Sequence, residues 1–111
     1  MPLDNSGIVD LVSLSPTGDE VIVHIVATEP WGETQLLQLQ AKLKNSVAFA
    51  ADGQLERAYP EVAGKRKAIE IRADFSPSEA VEKFVEAARQ QWCEPDSIRL
   101  SFVVLAGSGA V

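Results

Sequence analysis

A single cysteine, Cys93, stands in 111 residues, so the chain can build neither an internal disulfide nor a multi-cysteine zinc site. Histidine is equally scarce. His24 is alone and has no second ligand at a useful spacing, so no metal and no cofactor is expected. Positive charge is in deficit, with 10 Lys and Arg against 16 Asp and Glu, a net charge of −6. That balance argues against a nucleic-acid backbone or an anionic membrane as partner. Long apolar runs are missing too. The best, residues 21–27, is interrupted by His24 and far too short to span a bilayer. Residues 1–20 show no basic start followed by an apolar core, so no secretory signal is expected and the setting expected is cytoplasmic.

Catalytic motifs are as sparse as metal ligands. No glycine loop has the spacing that cradles phosphates, and no serine follows the nucleophile-elbow pattern. Aromatic residues do not interleave with basic ones as a single-strand nucleic-acid surface requires. Asp4, Asp10 and Asp19 lack the spacing of a calcium loop. Cys93 is expected in the last turn of a helix, beside Glu94, where the negative end of the helix dipole disfavours a thiolate. No catalytic residue is assigned, and the chain reads as a non-enzyme.

What is present is a foldable domain. An apolar fraction of 46% is that of an ordinary globular protein, and 111 residues without a linker or repeat make one domain with an ordered core of about 8–105 and frayed termini. Residues 8–14 and 21–27 are rich in Val, Ile and Leu, and Ser15-Pro16-Thr17-Gly18-Asp19 between them reads as a hairpin loop on a type I turn. A helix is expected from about Glu33 to Ala51, with Leu36, Leu39, Leu43, Val47 and Ala50 as its stripe and Leu37, Ala41 and Ala48 widening it. Asp52-Gly53 stops it. Residues 54–64 read as an ordered connection folded back over Phe49 and Trp31.

Residues 68–75 alternate Ile69, Ile71, Ala73 and Phe75 against Glu70, Arg72 and Asp74, a half-buried strand. A second helix follows, with Ser76 as cap, Pro77 at the first helical position, Glu79 closing a capping box, and Val81, Phe84, Val85, Ala88 and Trp92 as its stripe. Residues 98–105 form the last strand, with Ile98, Leu100, Phe102 and Val104 facing inward. The order ββαβαβ predicts an α+β two-layer sandwich, a four-stranded mixed sheet with two helices on one face. The other sheet face is left open.

Two surfaces emerge as candidate interaction sites. Trp31, Phe49 and Tyr59 could line an aromatic cleft rimmed by Glu29, Arg57 and Glu61, residue types that anchor interfaces and also fill small satellite cores. The open sheet face should carry an apolar centre of Ile22, Val26, Val103 and Leu105 with His24, Glu70, Arg72, Arg99 and Ser101 around it, suited to a partner layer or a second copy of the chain. Lys65-Arg66-Lys67, the one basic cluster, reads as a solvated strand edge.

Residues 9–14 (VDLVSL) with Gly18, Trp31, the stretch from Leu39 through Ala48-Phe49 to Gly53-Gln54-Leu55, and Tyr59-Pro60 together resemble a family of small bacterial proteins of unknown function. The resemblance spans roughly residues 8–105 and departs at Lys44 and Ser46. It implies one domain in a bacterial cytosolic setting and carries no activity. The leading expectation is therefore a non-enzymatic binding or protein-interaction module, self-associating as a homodimer through the open sheet face. Two alternatives are a small-molecule or enzymatic site, in the Trp31/Tyr59 cleft or around His24, and an immunity-type or accessory subunit of a larger complex. The small-molecule ligand of such a site stays unspecified.

Overall fold

Alternating aliphatic residues set up four strands, and the computed structural model, which describes residues 11–104, places them side by side in one sheet. Strand β1 (Leu11–Leu14) pairs antiparallel with β2 (Glu20–Ala27), Leu14 opposite Val21. In the loop between them the Gly18 amide donates to the Ser15 carbonyl (2.8 Å) and Gly18 takes a φ of +77°. A residue without Cβ adopts that conformation cheaply, which is why a glycine closes this turn. β3 (Arg66–Ala73) runs parallel to β2, and β4 (Ile98–Val104) parallel to β3, so the spatial order is β1-β2-β3-β4. The expected strand start at Ile8, the strand end at Leu105 and the frayed termini lie outside the described residues.

Each parallel step needs a crossover, and helices supply both. Helix α1 (Glu33–Ala51) connects β2 to β3 and stops as its sequence predicts: the Asp52 amide donates to the Ala48 carbonyl, and Gly53 turns the chain at φ +92°. Its buried face is rotated from the expected one. Leu39, Leu43, Val47 and Ala50 are buried, but the stripe widens toward Lys42, Ser46 and Phe49, while Leu37, Ala41 and Ala48 are exposed. Lys42 is fully buried, and the Ser46 hydroxyl donates to its carbonyl (2.8 Å). A pattern based on aliphatic residues alone passes over a buried lysine and serine, so it turns the face the wrong way.

The connection after α1 is more regular than its composition suggests. It holds a further short helix, α2 (Gln54–Ala58), and a 3₁₀ turn over Pro60–Val62, which bury Leu55 and Val62 in the main core. It does not fold back over Trp31. Trp31 precedes α1 and α2 follows it, and 19 helical residues separate the two by about 28 Å. The neighbouring basic residues each meet a partner: Lys65 donates to the Gly18 carbonyl, Arg66 pairs with Asp19 (2.9 Å) and Lys67 with Glu56 (2.7 Å).

Helix α3 (Glu79–Ala88) crosses from β3 to β4 and starts two residues later than its sequence suggests. Ser78, not Ser76, is the N-cap, its hydroxyl accepting from the Val81 amide (3.3 Å). The chain leaves β3 at Ala73, so Phe75 lies in the approach to the helix and is 41% exposed, not in the core. Val104, at the end of an edge strand, is likewise 37% exposed. After Ala88 the helix widens into a π turn over Arg89–Cys93. That extra residue per turn brings Cys93, rather than Trp92, into line below Ala88: Cys93 is fully buried, and Trp92 is half-buried with its ring edge-on to Phe84 (5.7 Å). A 3₁₀ turn through Pro95, then Ser97 at φ +57°, delivers the chain into β4.

Val23, Ile25, Ile69, Ile71 and Leu100 of the sheet form one hydrophobic cluster with the buried faces of α1 and α3. The molecule is thus the α+β two-layer sandwich the sequence predicts, with three α-helices instead of two, and no described helix lies on the other face of the sheet.

Candidate functional site

Because side chains alternate along a strand, the register fixes which residues share the open face. Ser13, Ile22, Ala68 and Arg99 form one row across the four strands. His24, Glu70 and Ser101 form the next, and Val26, Arg72 and Val103 the one after it. The centre of the face is therefore polar. The sequence-based expectation of an apolar centre is corrected: Ile22, Val26 and Val103 flank a His–Glu–Ser row, because strands β2, β3 and β4 align their polar residues at the same level.

Within that row the side chains connect. The imidazole of His24, 6% exposed, has Nε2 2.7 Å from the Ser13 hydroxyl and Nδ1 3.5 Å from Glu70 Oε1. Arg72 Nε lies 3.4 Å from the same Glu70 oxygen. A carboxylate beside Nδ1 favours a proton on that nitrogen, which leaves Nε2 as an acceptor and the Ser13 hydroxyl as its donor. The arrangement sets a serine hydroxyl against a buried imidazole, with a half-buried carboxylate on the far side of the ring. At one end of the face Arg99 grips Glu20 with two hydrogen bonds, 2.7 and 3.1 Å. These hold the Glu20 carboxyl below its ordinary range, and the Glu20 carboxylate raises the Arg99 guanidinium further.

The structure does not assemble the aromatic cleft. Trp31 donates its indole N–H to the Phe75 carbonyl (3.1 Å) and packs on Phe102 at a centroid distance of 5.9 Å, at the β4 side of the sheet. Tyr59 lines a cavity of about 300 Å³ under β1, with Val12, Leu14, Val21, Glu61 and Val62. Phe49 packs half-buried against the main core. Arg57 is exposed at the end of α2, its terminal nitrogen near Gly53. The length of α1 parts Trp31 from the others, so these residues share no site. The open-face residues Ile22, His24, Val26, Arg72 and Arg99, by contrast, come together as the register requires.

Ser13 is the member of this constellation that sequence reasoning left out of the candidate set. Its signal lay in the hairpin: a five-residue loop from Leu14 to Glu20, with Leu14 paired to Val21, puts Ser13 opposite Ile22 and diagonal to His24. Cys93 belongs to no site. Burial pushes its thiol up and away from the reactive thiolate form. Among the described residues no group of His, Cys, Asp and Glu could hold a metal ion, and no helix is long and apolar enough to cross a membrane.

No curated protein and no solved structure matches the chain. One family model does, over residues 1–105, and its description is a family of unknown function, DUF6572. With nearly its whole length covered by that match, the chain belongs to the DUF6572 family.

Proposed function

We propose that this chain is a protein-interaction module that self-associates through its open sheet face. One observation carries the reading. Of the buried side-chain polar atoms without a hydrogen bond among the described residues, three share that face: His24 Nδ1, Arg72 Nε and Ser101 Oγ. Buried polar atoms are nearly always satisfied, so a cluster of unsatisfied ones marks where a further layer belongs. Charge favours a second copy as that layer. The chain is strongly acidic as a whole, yet on this face Glu20 and Glu70 are balanced by Arg99 and Arg72. Two copies meeting there bring together locally balanced charge in a chain that is acidic as a whole.

Four strands at about 4.8 Å spacing and seven residues at about 3.3 Å give a face of roughly 400 Å², about half the usual contribution per partner. The dimer is therefore weak, with a Kd on the order of 10 µM or above. Light scattering from about 1 to 500 µM protein tests this across the range such an affinity requires. The mass should rise toward twice that of the chain, and Ile22→Asp, which places a charge in the apolar row beside the centre of the contact, should hold it at one. A monomer throughout would sink self-association and point to a different protein as the covering layer, as an accessory or inhibitor subunit would need.

A second reading rests on its own observation, the Ser13–His24–Glu70 chain, which makes the same face a site of chemistry. The two readings compete for one surface, since a face-to-face dimer would close over Ser13.

A further inference from the structure

Deepening that second reading, we infer that Ser13 is an activated nucleophile that accepts the acyl group of a small carboxylic ester. Three features converge on it. First, the Ser13 hydroxyl stands 2.7 Å from His24 Nε2, within proton-transfer reach of a base. Second, the base is held in place: its ring is more than nine-tenths buried, and the Glu70 carboxylate lies 3.5 Å from Nδ1, an electrostatic contact without a hydrogen bond. Nucleophile, base and orienting acid in series are the signature of covalent catalysis, whatever the fold that carries them.

Third, the strand bearing the serine has a free edge. Among the described residues β1 pairs only with β2. The Ser15 amide donates to the Glu20 carbonyl (2.9 Å), which fixes the alternation of the ladder. Two residues back, the Ser13 amide then points toward β2, and the amides of Val12 and Leu14 point out of the sheet. The amide of the residue after a nucleophile is a common oxyanion donor, and among the described residues Leu14 offers one with no partner strand. On the helix side of the same edge, across the strand from the Ser13 hydroxyl, lies the 300 Å³ cavity lined by Val12, Leu14, Val21 and Val62.

The step balances without a further reagent. Ser13 Oγ bonds to the acyl carbon as its proton passes to His24 Nε2. The bond from carbon to the leaving oxygen breaks, that oxygen keeps the electron pair, and it takes the proton from His24. Water then adds to the acyl-serine by the same route and releases the carboxylic acid. Glu70 touches no substrate and is a positioning residue.

The test is p-nitrophenyl butyrate with the full chain at about 1 µM, where a weak dimer is dissociated, reading nitrophenolate release and mapping the acyl group by peptide mass spectrometry. The expected result is one acyl group on Ser13. His24→Gln should slow acylation by at least about a hundredfold, the ordinary worth of a general base. Glu70→Gln should lower the maximal acylation rate and leave the half-saturating ester concentration unchanged. An acyl group mapped to lysine, to the N-terminus or to His24 itself, nitrophenolate release that His24→Gln leaves unchanged, or no release at all, would overturn the inference. That mapping uses the unmodified chain and decides the matter even where a variant does not fold. Failure here leaves the light-scattering result untouched. Acylation that is fast at 1 µM and suppressed at several hundred micromolar would support both readings together.

Discussion

Leu55→Ala should destabilise this protein far more than Phe75→Ala, although phenylalanine is the larger side chain. Leu55 sits in a five-residue helix that the sequence presents as an irregular connection, yet it is fully buried in the main core. Removing it deletes about three methylene-equivalents at about 0.8 kcal/mol each and leaves a cavity, a loss of about 3 kcal/mol. Phe75 is 41% exposed, and its fixed contribution is a backbone carbonyl that accepts from Trp31 and survives the substitution. Its truncation should cost about 1 kcal/mol or less. For 111 residues the unfolding entropy near the midpoint is about 0.23 kcal/mol/K, so Tm should fall by about 13 °C for Leu55→Ala and by about 4 °C or less for Phe75→Ala. Urea titration followed by the fluorescence of Trp31 and Trp92 gives the same comparison at constant temperature, with midpoints separated by more than 1 M for a slope of about 1.5 kcal/mol/M. Equal losses, or a larger loss for Phe75→Ala, would refute the placement of α2 in the core.

The contrast between these residues marks where the sequence was readable. Hydrophobic period and punctuation determined α1 nearly to the residue, because a glycine that must adopt positive φ at position 53 leaves little freedom in where the helix stops. The strands were equally legible, since Ile69 with Ile71, and Ile98 with Leu100, recur at the two-residue spacing that a strand puts on one face. What failed depended on geometry beyond a local window. A π turn shifts the register of α3 by one residue, exchanging Trp92 for Cys93, and no residue in Arg89–Cys93 announces it. The cap moved from Ser76 to Ser78 because two serines flank Pro77 and either could serve. Only the departure of the chain from β3 at Ala73 decides between them.

The open face was legible in outline and unreadable in its chemistry. Alternation alone places His24 away from the helices, and Glu70, Arg72 and Arg99 with it. Their level relative to one another depends on inter-strand register, which crossovers of 38 and 24 residues leave open. A shift of two residues between β2 and β3 would keep every side chain on its face and still part His24 from Glu70. The aromatic cleft failed for the complementary reason. Nearness in composition between Trp31 and Tyr59 carries no distance, whereas a 19-residue helix between them does.

The two serines around Pro77 give a test at the same level of detail. Ser78→Ala should cost about 1 kcal/mol through loss of the cap to the Val81 amide, and Ser76→Ala less than about 0.5 kcal/mol, measured by urea titration; the reverse order would restore the earlier helix start. Acid stability tests the carboxylates. Glu20 is held low by hydrogen bonds from Arg99, Glu56 by Lys67, Asp19 by the Thr17 hydroxyl and Asp52 by Gln54. In each case the folded value lies below the unfolded one, so folding favours the ionised form. The stability this supplies is complete above the unfolded values near pH 4 and is lost as pH falls through the lower folded values. Stability should accordingly be level from about pH 7 to 5 and decline steeply below about pH 4. Since Arg99 is the first cause of the Glu20 shift, Arg99→Gln should make that decline shallower as well as lowering stability at neutral pH. Unchanged acid dependence in that variant would show that the Glu20–Arg99 pair contributes nothing to folding, and that the charge balance on the open face is incidental to stability.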